Sequence, residues 1–120
     1  MKLVLQNKLT LSEIKTKFTE HFPYLKLEVY KISKEQLETA SYYRLKENIP
    51  INLNERNNNK FEIDGNMTVI DLEKLFLDKL NLNIQVFRKS GKLWLETTYT
   101  DEWTLDKQNE QGKELDILNN

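Results

Sequence analysis

A short pattern occurs twice in this chain of 120 residues, and it limits the possible folds more than any other feature. Leu9-Thr10-Leu11, Glu13-Ile14, Phe18 and Phe22, followed by Leu27-Glu28-Val29-Tyr30-Lys31, return as Met67-Thr68-Val69, Asp71-Leu72, Phe76 and Leu80, followed by Ile84-Gln85-Val86-Phe87-Arg88. The helix-like parts stand 58 positions apart, Leu9 to Met67, and the strand-like parts 57, Leu27 to Ile84, so the copies differ by one residue at the joint. This period is too long for most solenoid units and two copies are too few for an array, which leaves one domain built from two related halves.

Each half reads as strand, helix, strand. Leu3 and Leu5 alternate with polar neighbours as a first strand, although Val4 interrupts the pattern. Thr10 and Glu13 fit a capping box, with Leu9 and Ile14 at the positions of a hydrophobic staple. Leu11, Ile14, Phe18 and Phe22 then share one helical face until Pro23. In the second copy Thr68 caps, Met67 and Leu72 staple, and Asp71 is a shorter box partner than Glu would be. Phe61 and Ile63 alternate with charged residues as the strand before it, and Gly65-Asn66 makes the turn.

Between the halves, Ser33 to Asn48 has the pattern of an inserted helix, with Leu37, Ala40, Arg44 and Leu45 near one face, and Pro50 with Asn54 to Asn59 marks a loop. After the second repeat, a hairpin with Ser90-Gly91 as its loop pairs Phe87 with Trp94 and Arg88 with Leu93. That register puts Ile84, Val86, Leu93 and Leu95 on the core face and Gln85, Phe87, Lys89, Lys92, Trp94 and Glu96 on the other. Thr104 to Gln111 reads as a short helix stopped by Gly112, and Leu115, Ile117 and Leu118 are too scattered among charges to predict firm docking.

The expected fold is therefore α+β: a two-layer sandwich from a duplicated strand-helix-strand unit, the ferredoxin-like split βαβ arrangement, with an extra hairpin strand and an inserted helix. A β-grasp-like fold and two small lobes are the alternatives. The expected organisation is one domain over 1–120, with a first repeat over 1–32, the insertion over 33–59, the second repeat and hairpin over 60–97, and a C-terminal helical tail over 98–120.

Composition narrows the function. Cysteine is absent, which removes disulfides, thiolate catalysis and sulfur-ligated zinc, and points to a reducing cytoplasm. The apolar run near the start, Leu3-Val4-Leu5, is three residues long, against the ~7–15 apolar residues of a secretory signal core. No membrane-spanning run is present, and a net charge of −1 supplies no general attraction to nucleic acid or anionic lipid.

Catalytic chemistry finds no support. His21 is the only histidine and sits at a helix end, where it suits the dipole. Asp101-Glu102, amid Thr98, Thr100 and Thr104, is the densest oxygen cluster, but it lacks the turn glycine of a hard-cation loop and reads better as helix capping. No nucleophile elbow or glycine-rich phosphate loop occurs, so the expectation is no catalytic residue, no metal and no cofactor.

What stands out is an aromatic face. Phe87 and Trp94, with Arg88, Lys89 and Lys92 near the hairpin tip and Tyr30 at the position equivalent to Phe87, form a candidate partner-binding group. Such a face can be an interface hot spot or can stack unpaired bases. Alternatively Trp103, Leu105 or the inserted helix covers the rings and closes a second small core.

The segments Val86 to Gly91, Trp94 to Thr98 and Thr100 to Leu105 resemble small bacterial proteins of unassigned function that share a Thr-Val-x-x-Leu helix start, a strand and an Arg-Lys-Ser-Gly hairpin. The resemblance covers Thr68 to Gly112 and implies a bacterial cytoplasmic origin; it carries no activity and no catalytic residue. The resulting expectation is a non-enzymatic protein-protein interaction module, an accessory or regulatory subunit of a bacterial multicomponent system. Single-stranded nucleic-acid binding through the same face, or self-association through exposed strand edges, are the rivals.

Overall fold

The computed structural model describes residues 2–6, 9–32, 42–44, 60–80 and 82–118. The elements run β1 (Lys2–Gln6), α1 (Leu11–His21), β2 (Leu25–Ile32), β3 (Tyr42–Arg44), β4 (Lys60–Asp64), α2 (Val69–Leu80), β5 (Asn83–Ser90), β6 (Leu93–Glu96), a single 3-10 turn over Thr98–Thr100, and α3 (Leu105–Leu118). The chain is α+β, with three helices and two antiparallel sheets among the described residues.

Local chemistry starts each helix. The Thr10 hydroxyl accepts from the Glu13 N–H at 3.2 Å, and the Glu13 carboxylate accepts from the Thr10 N–H at 3.1 Å. The Thr10 N–H, and secondly the Thr10 hydroxyl, which donates to the same carboxylate at 3.0 Å, hold the exposed Glu13 carboxyl below its ordinary pKa. Thr68 and Asp71 repeat the exchange at 3.1 and 3.2 Å, so the shorter Asp closes the box as well. Half of the device opens α3, since Lys107 carries no acceptor to return the bond. Thr104, flanked by Trp103 and Leu105, accepts from the Lys107 N–H at 3.1 Å.

Strand pairing departs from the expected single sheet. β1 pairs with β4 in a two-stranded sheet, while β3-β2-β5-β6 form a separate four-stranded one. Both repeat pairings have a reciprocal register. Val4 faces Glu62, its counterpart 58 positions on, while Leu3 faces Ile63 and Leu5 faces Phe61. Glu28 faces Gln85, its counterpart 57 positions on, while Leu27 faces Val86 and Val29 faces Ile84. In each case residue i meets the counterpart of j, and j meets the counterpart of i, as a twofold contact requires.

One core lies between the layers. Phe18 and its counterpart Phe76 are fully buried, as are Leu25, Leu27, Ile63, Leu72 and Val86. Phe76 meets Phe61 edge-on at 4.9 Å between centroids, a favoured aromatic arrangement. Val4 points out of the core, which explains the broken alternation in β1.

Further sequence expectations need correction. Tyr42–Arg44, placed in an inserted helix, is instead the strand β3 beside Tyr30 to Ile32; the remainder of that segment and the Asn-rich loop lie outside the described residues. Leu93 and Leu95, assigned to the core, are 66% and 44% exposed. β6 is one of the two outer strands of the described four, and α3, on that side, packs against β5 instead.

Gly112 does not stop α3, which continues to Leu118. It is buried because the helix passes very close to the first half: a Cβ there would lie 2.8 Å from Tyr24 Cβ and 3.3 Å from Arg88 Cγ. Beside it, the Asn109 side-chain oxygen accepts from the Tyr24 N–H at 2.8 Å, and Leu105 joins the core. In a loosely docked helix Gly112→Ala would gain ~1 kcal/mol of helix propensity. Here the clash costs about 1–3 kcal/mol. Urea denaturation of Gly112→Ala is expected to show net destabilisation; stabilisation would mean that α3 is not held this tightly.

Candidate functional site

The four-stranded sheet has one face toward the helices and one away from them. Strand alternation sends Leu25, Leu27, Val29, Ile84 and Val86 into the core and Lys26, Glu28, Tyr30, Gln85 and Phe87 to the opposite face. Trp94 lies on that opposite face too, because it pairs with Lys89.

The hairpin register is not the expected one. Its loop is Gly91-Lys92, closed by Ser90 opposite Leu93, so Phe87 faces Glu96 and Trp94 faces Lys89. Gly91 has φ 62°. Both favoured two-residue hairpin turns need positive φ at the first loop position, where glycine fits and serine does not. Moving the loop by one residue moves every partner by two, so each side chain keeps its face.

Lys26 organises the exposed face. Its ammonium lies 5.4 Å from the Phe87 ring centroid and 5.0 Å from that of Trp94, between two half-buried rings. Such contacts contribute about 0.5–1 kcal/mol each at exposed sites. Nothing in the sequence alone singles out Lys26, although it is four residues before Tyr30 on the same face of β2. Only the cross-strand register brings it opposite Phe87.

The other expected site residues are dispersed. Tyr30 is on the same face but pairs with Asn83, two positions beyond the Glu28–Gln85 centre, so it is not next to Phe87. Lys89 reaches Asp116 of α3 at 3.4 Å, and Lys92 is exposed at the hairpin tip. Arg88 points to the helix side. Its Nη1 donates to Gln108 Oε1 at 2.9 Å, its guanidinium lies 5.4 Å from the Trp103 ring, and its Nε is buried without a hydrogen-bond partner. Burial pulls the Arg88 pKa below its ordinary value.

Gln108 completes this inner network. It is fully buried, and its side-chain NH2 donates to both the carbonyl and hydroxyl of Thr100 at 2.7 and 2.8 Å. Trp103 and Leu105 are therefore engaged on the α3 side and leave Phe87 and Trp94 uncovered from that direction. His21 ends α1 with its ring 4.7 Å from that of Phe22.

A cleft of about 460 Å³ opens where the outer side of α2 meets β5, walled by Ile70, Glu73, Leu77, Ile84 and Gln85 and reaching Tyr30 and Glu96 on the aromatic face. Its size falls within the usual range for small-ligand sites. Burial, and secondly the Asp101 carboxylate, push the Glu73 carboxyl above its ordinary pKa. Among the described residues no cluster of three or more His, Cys, Asp or Glu could hold a metal ion, and no helix is long and apolar enough to cross a membrane. No family model, no curated protein and no solved structure matches the chain.

A raised carboxyl pKa means that the folded state keeps its proton to higher pH than the unfolded chain. The contribution of Glu73 is therefore favourable in acid and is lost as pH rises through its folded-state pKa. Glu73→Gln is expected to stabilise the protein at neutral pH by less than about 1 kcal/mol, the side chain being half in solvent. The gain should vanish in acid, which denaturation midpoints across the pH range would show.

Proposed function

We propose that this chain is a non-enzymatic protein-binding module, an accessory or regulatory subunit of a bacterial cytoplasmic multicomponent system, that captures its partner on the sheet face bearing Phe87 and Trp94. The observation that carries the proposal is the half-exposed ring pair braced by Lys26, on the face opposite the helices. Aromatic side chains with a nearby cation are typical binding hot spots, because large rigid surfaces lose little conformational entropy on association. Lys92 stands at the rim and Tyr30 farther along the same face. Arg88 is left out, since its guanidinium is engaged with Gln108 and Trp103.

The same proposal includes a tandem origin: two copies of a split βαβ unit of the ferredoxin-like kind, whose strands now divide between two sheets. The reciprocal registers about Val4–Glu62 and Glu28–Gln85 support it. Self-association is the second reading, favoured by Leu93 and Leu95, which are exposed on the outer strand β6. Light scattering coupled to size exclusion would show a dimer if that reading is right and a monomer if it is not.

Trp94→Ala is the direct test. The expected result is a stability within about 1 kcal/mol of the parent, as for substitutions outside the core, and loss of the proteins that the parent chain retains from its native host. A large drop in stability would instead assign Trp94 a structural role. Retained nucleic acid whose binding falls steeply with salt would favour the nucleic-acid reading.

A further inference from the structure

The cleft beside α2 has a counterpart beside α1, and the two differ where their chemistry is decided. Lys15, Thr19, Leu27 and Glu28 line the first. Glu73, Leu77, Ile84 and Gln85 hold the equivalent positions in the second, 58 residues on along the helix and 57 along the strand. The cavities are of similar size, about 430 and 460 Å³.

In the first cleft the Lys15 ammonium meets the Glu28 carboxylate at 3.1 Å, with side chains only 20% and 10% exposed. The fold thus seats an alkylammonium group between the helix and the strand edge, its stem along the wall and its charge neutralised. In the second cleft the position of Lys15 carries no cation and the acid has changed sides: glutamate replaces the lysine of the helix, and glutamine replaces the glutamate of the strand. Glu73 makes no ion pair among the described residues, and its electrostatic neighbour is another carboxylate, Asp101. Lys74 also lines the cleft, but successive helix positions do not face each other and it makes no ion pair with Glu73.

The walls have changed to match. Ile70 and Leu77 stand where the first half has Ser12 and Thr19, so the second cleft is more apolar around its acid. A backbone acceptor is also present. The Val86 carbonyl points toward β6, where it accepts from the Thr97 N–H at 3.2 Å. Strand alternation turns the carbonyl of Ile84 the same way, into the cleft and beyond the end of β6. An anion would be repelled by Glu73 and Glu96, and a hard metal ion needs about six oxygens that this wall does not supply.

We propose that the second cleft binds an alkylammonium group from outside the chain, a lysine side chain or a free aliphatic amine, with Glu73 taking the charge and Ile70 and Leu77 packing on the stem. The external ammonium takes the place that Lys15 fills from within in the first half. This site does not depend on what the aromatic face captures.

The test is an NMR amide-shift titration of the full chain with n-butylammonium chloride, against sodium chloride at matched ionic strength. Saturable shifts at Ile70 to Leu77 and at Ile84 and Gln85 are expected with the amine alone. Glu73→Gln should weaken binding about tenfold or more, the loss of one charge-assisted contact. Combining Glu73→Lys with Gln85→Glu rebuilds the first-half ion pair, and should abolish binding while keeping or raising the denaturation midpoint. A blocked Gly-Lys-Gly peptide, compared with its norleucine analogue, separates the sources: saturation by the lysine peptide admits a protein side chain, and saturation by butylammonium alone assigns the site to free amines. Shifts that sodium chloride reproduces, shifts that Glu73→Gln leaves unchanged, or no saturation by either ammonium probe would overturn the proposal.

Discussion

The antiparallel pairing of β2 with β5, centred on Glu28 opposite Gln85, is the contact on which the rest of the molecule depends. It joins the two halves through their final strands and puts Leu25, Leu27, Val29, Ile84 and Val86 on one surface. Each helix packs on a strand of its own half, α1 on β2 and α2 on β5, and the pairing makes one layer of those two strands. The same pairing also sets the opposite face, where Lys26 meets Phe87 and approaches Trp94. A slip of one residue would invert both surfaces.

Much of the local structure was legible in the sequence because its causes are local. Thr10 and Thr68 announce their helices within four residues, and the stripes ending at Phe22 and Leu80 follow helical spacing. The third threonine start, Trp103-Thr104-Leu105, carries the same signal and was legible only as capping. Pairing partners were harder to read, because alternation fixes which way a side chain points and not which strand lies beside it. That is why two sheets replace the expected one, and why β3 appears where Ser33 to Asn48 suggested a helix.

The candidate site divides along the same line. Phe87 and Trp94 share a face in either register, so their grouping survived a hairpin loop displaced by one residue. Arg88, next to Phe87 in sequence, points to the opposite side by the same alternation, and Leu93 and Leu95 are exposed because the layer above β6 is set by where α3 docks. Gly112 looked like a stop and is instead a point of close approach, visible only once Tyr24 and Arg88 are beside it. The α2 cleft had a sequence signal of another kind. Aligning the halves on their apolar residues shows likeness, while Glu73 at the position of Lys15 and Gln85 at that of Glu28 show where the halves differ.

Reciprocal pairing with unlike clefts holds only if the central register is correct. Pairs that do not exchange hydrogen bonds in an antiparallel ladder bring their α-carbons closest, and Leu27–Val86 and Val29–Ile84 are such pairs here. Nuclear Overhauser contacts between the α-protons of the full chain read this directly. Strong contacts from Leu27 to Val86 and from Val29 to Ile84 are expected. Contacts displaced by one residue, such as Leu27 to Gln85, or none between these strands, would contradict the account.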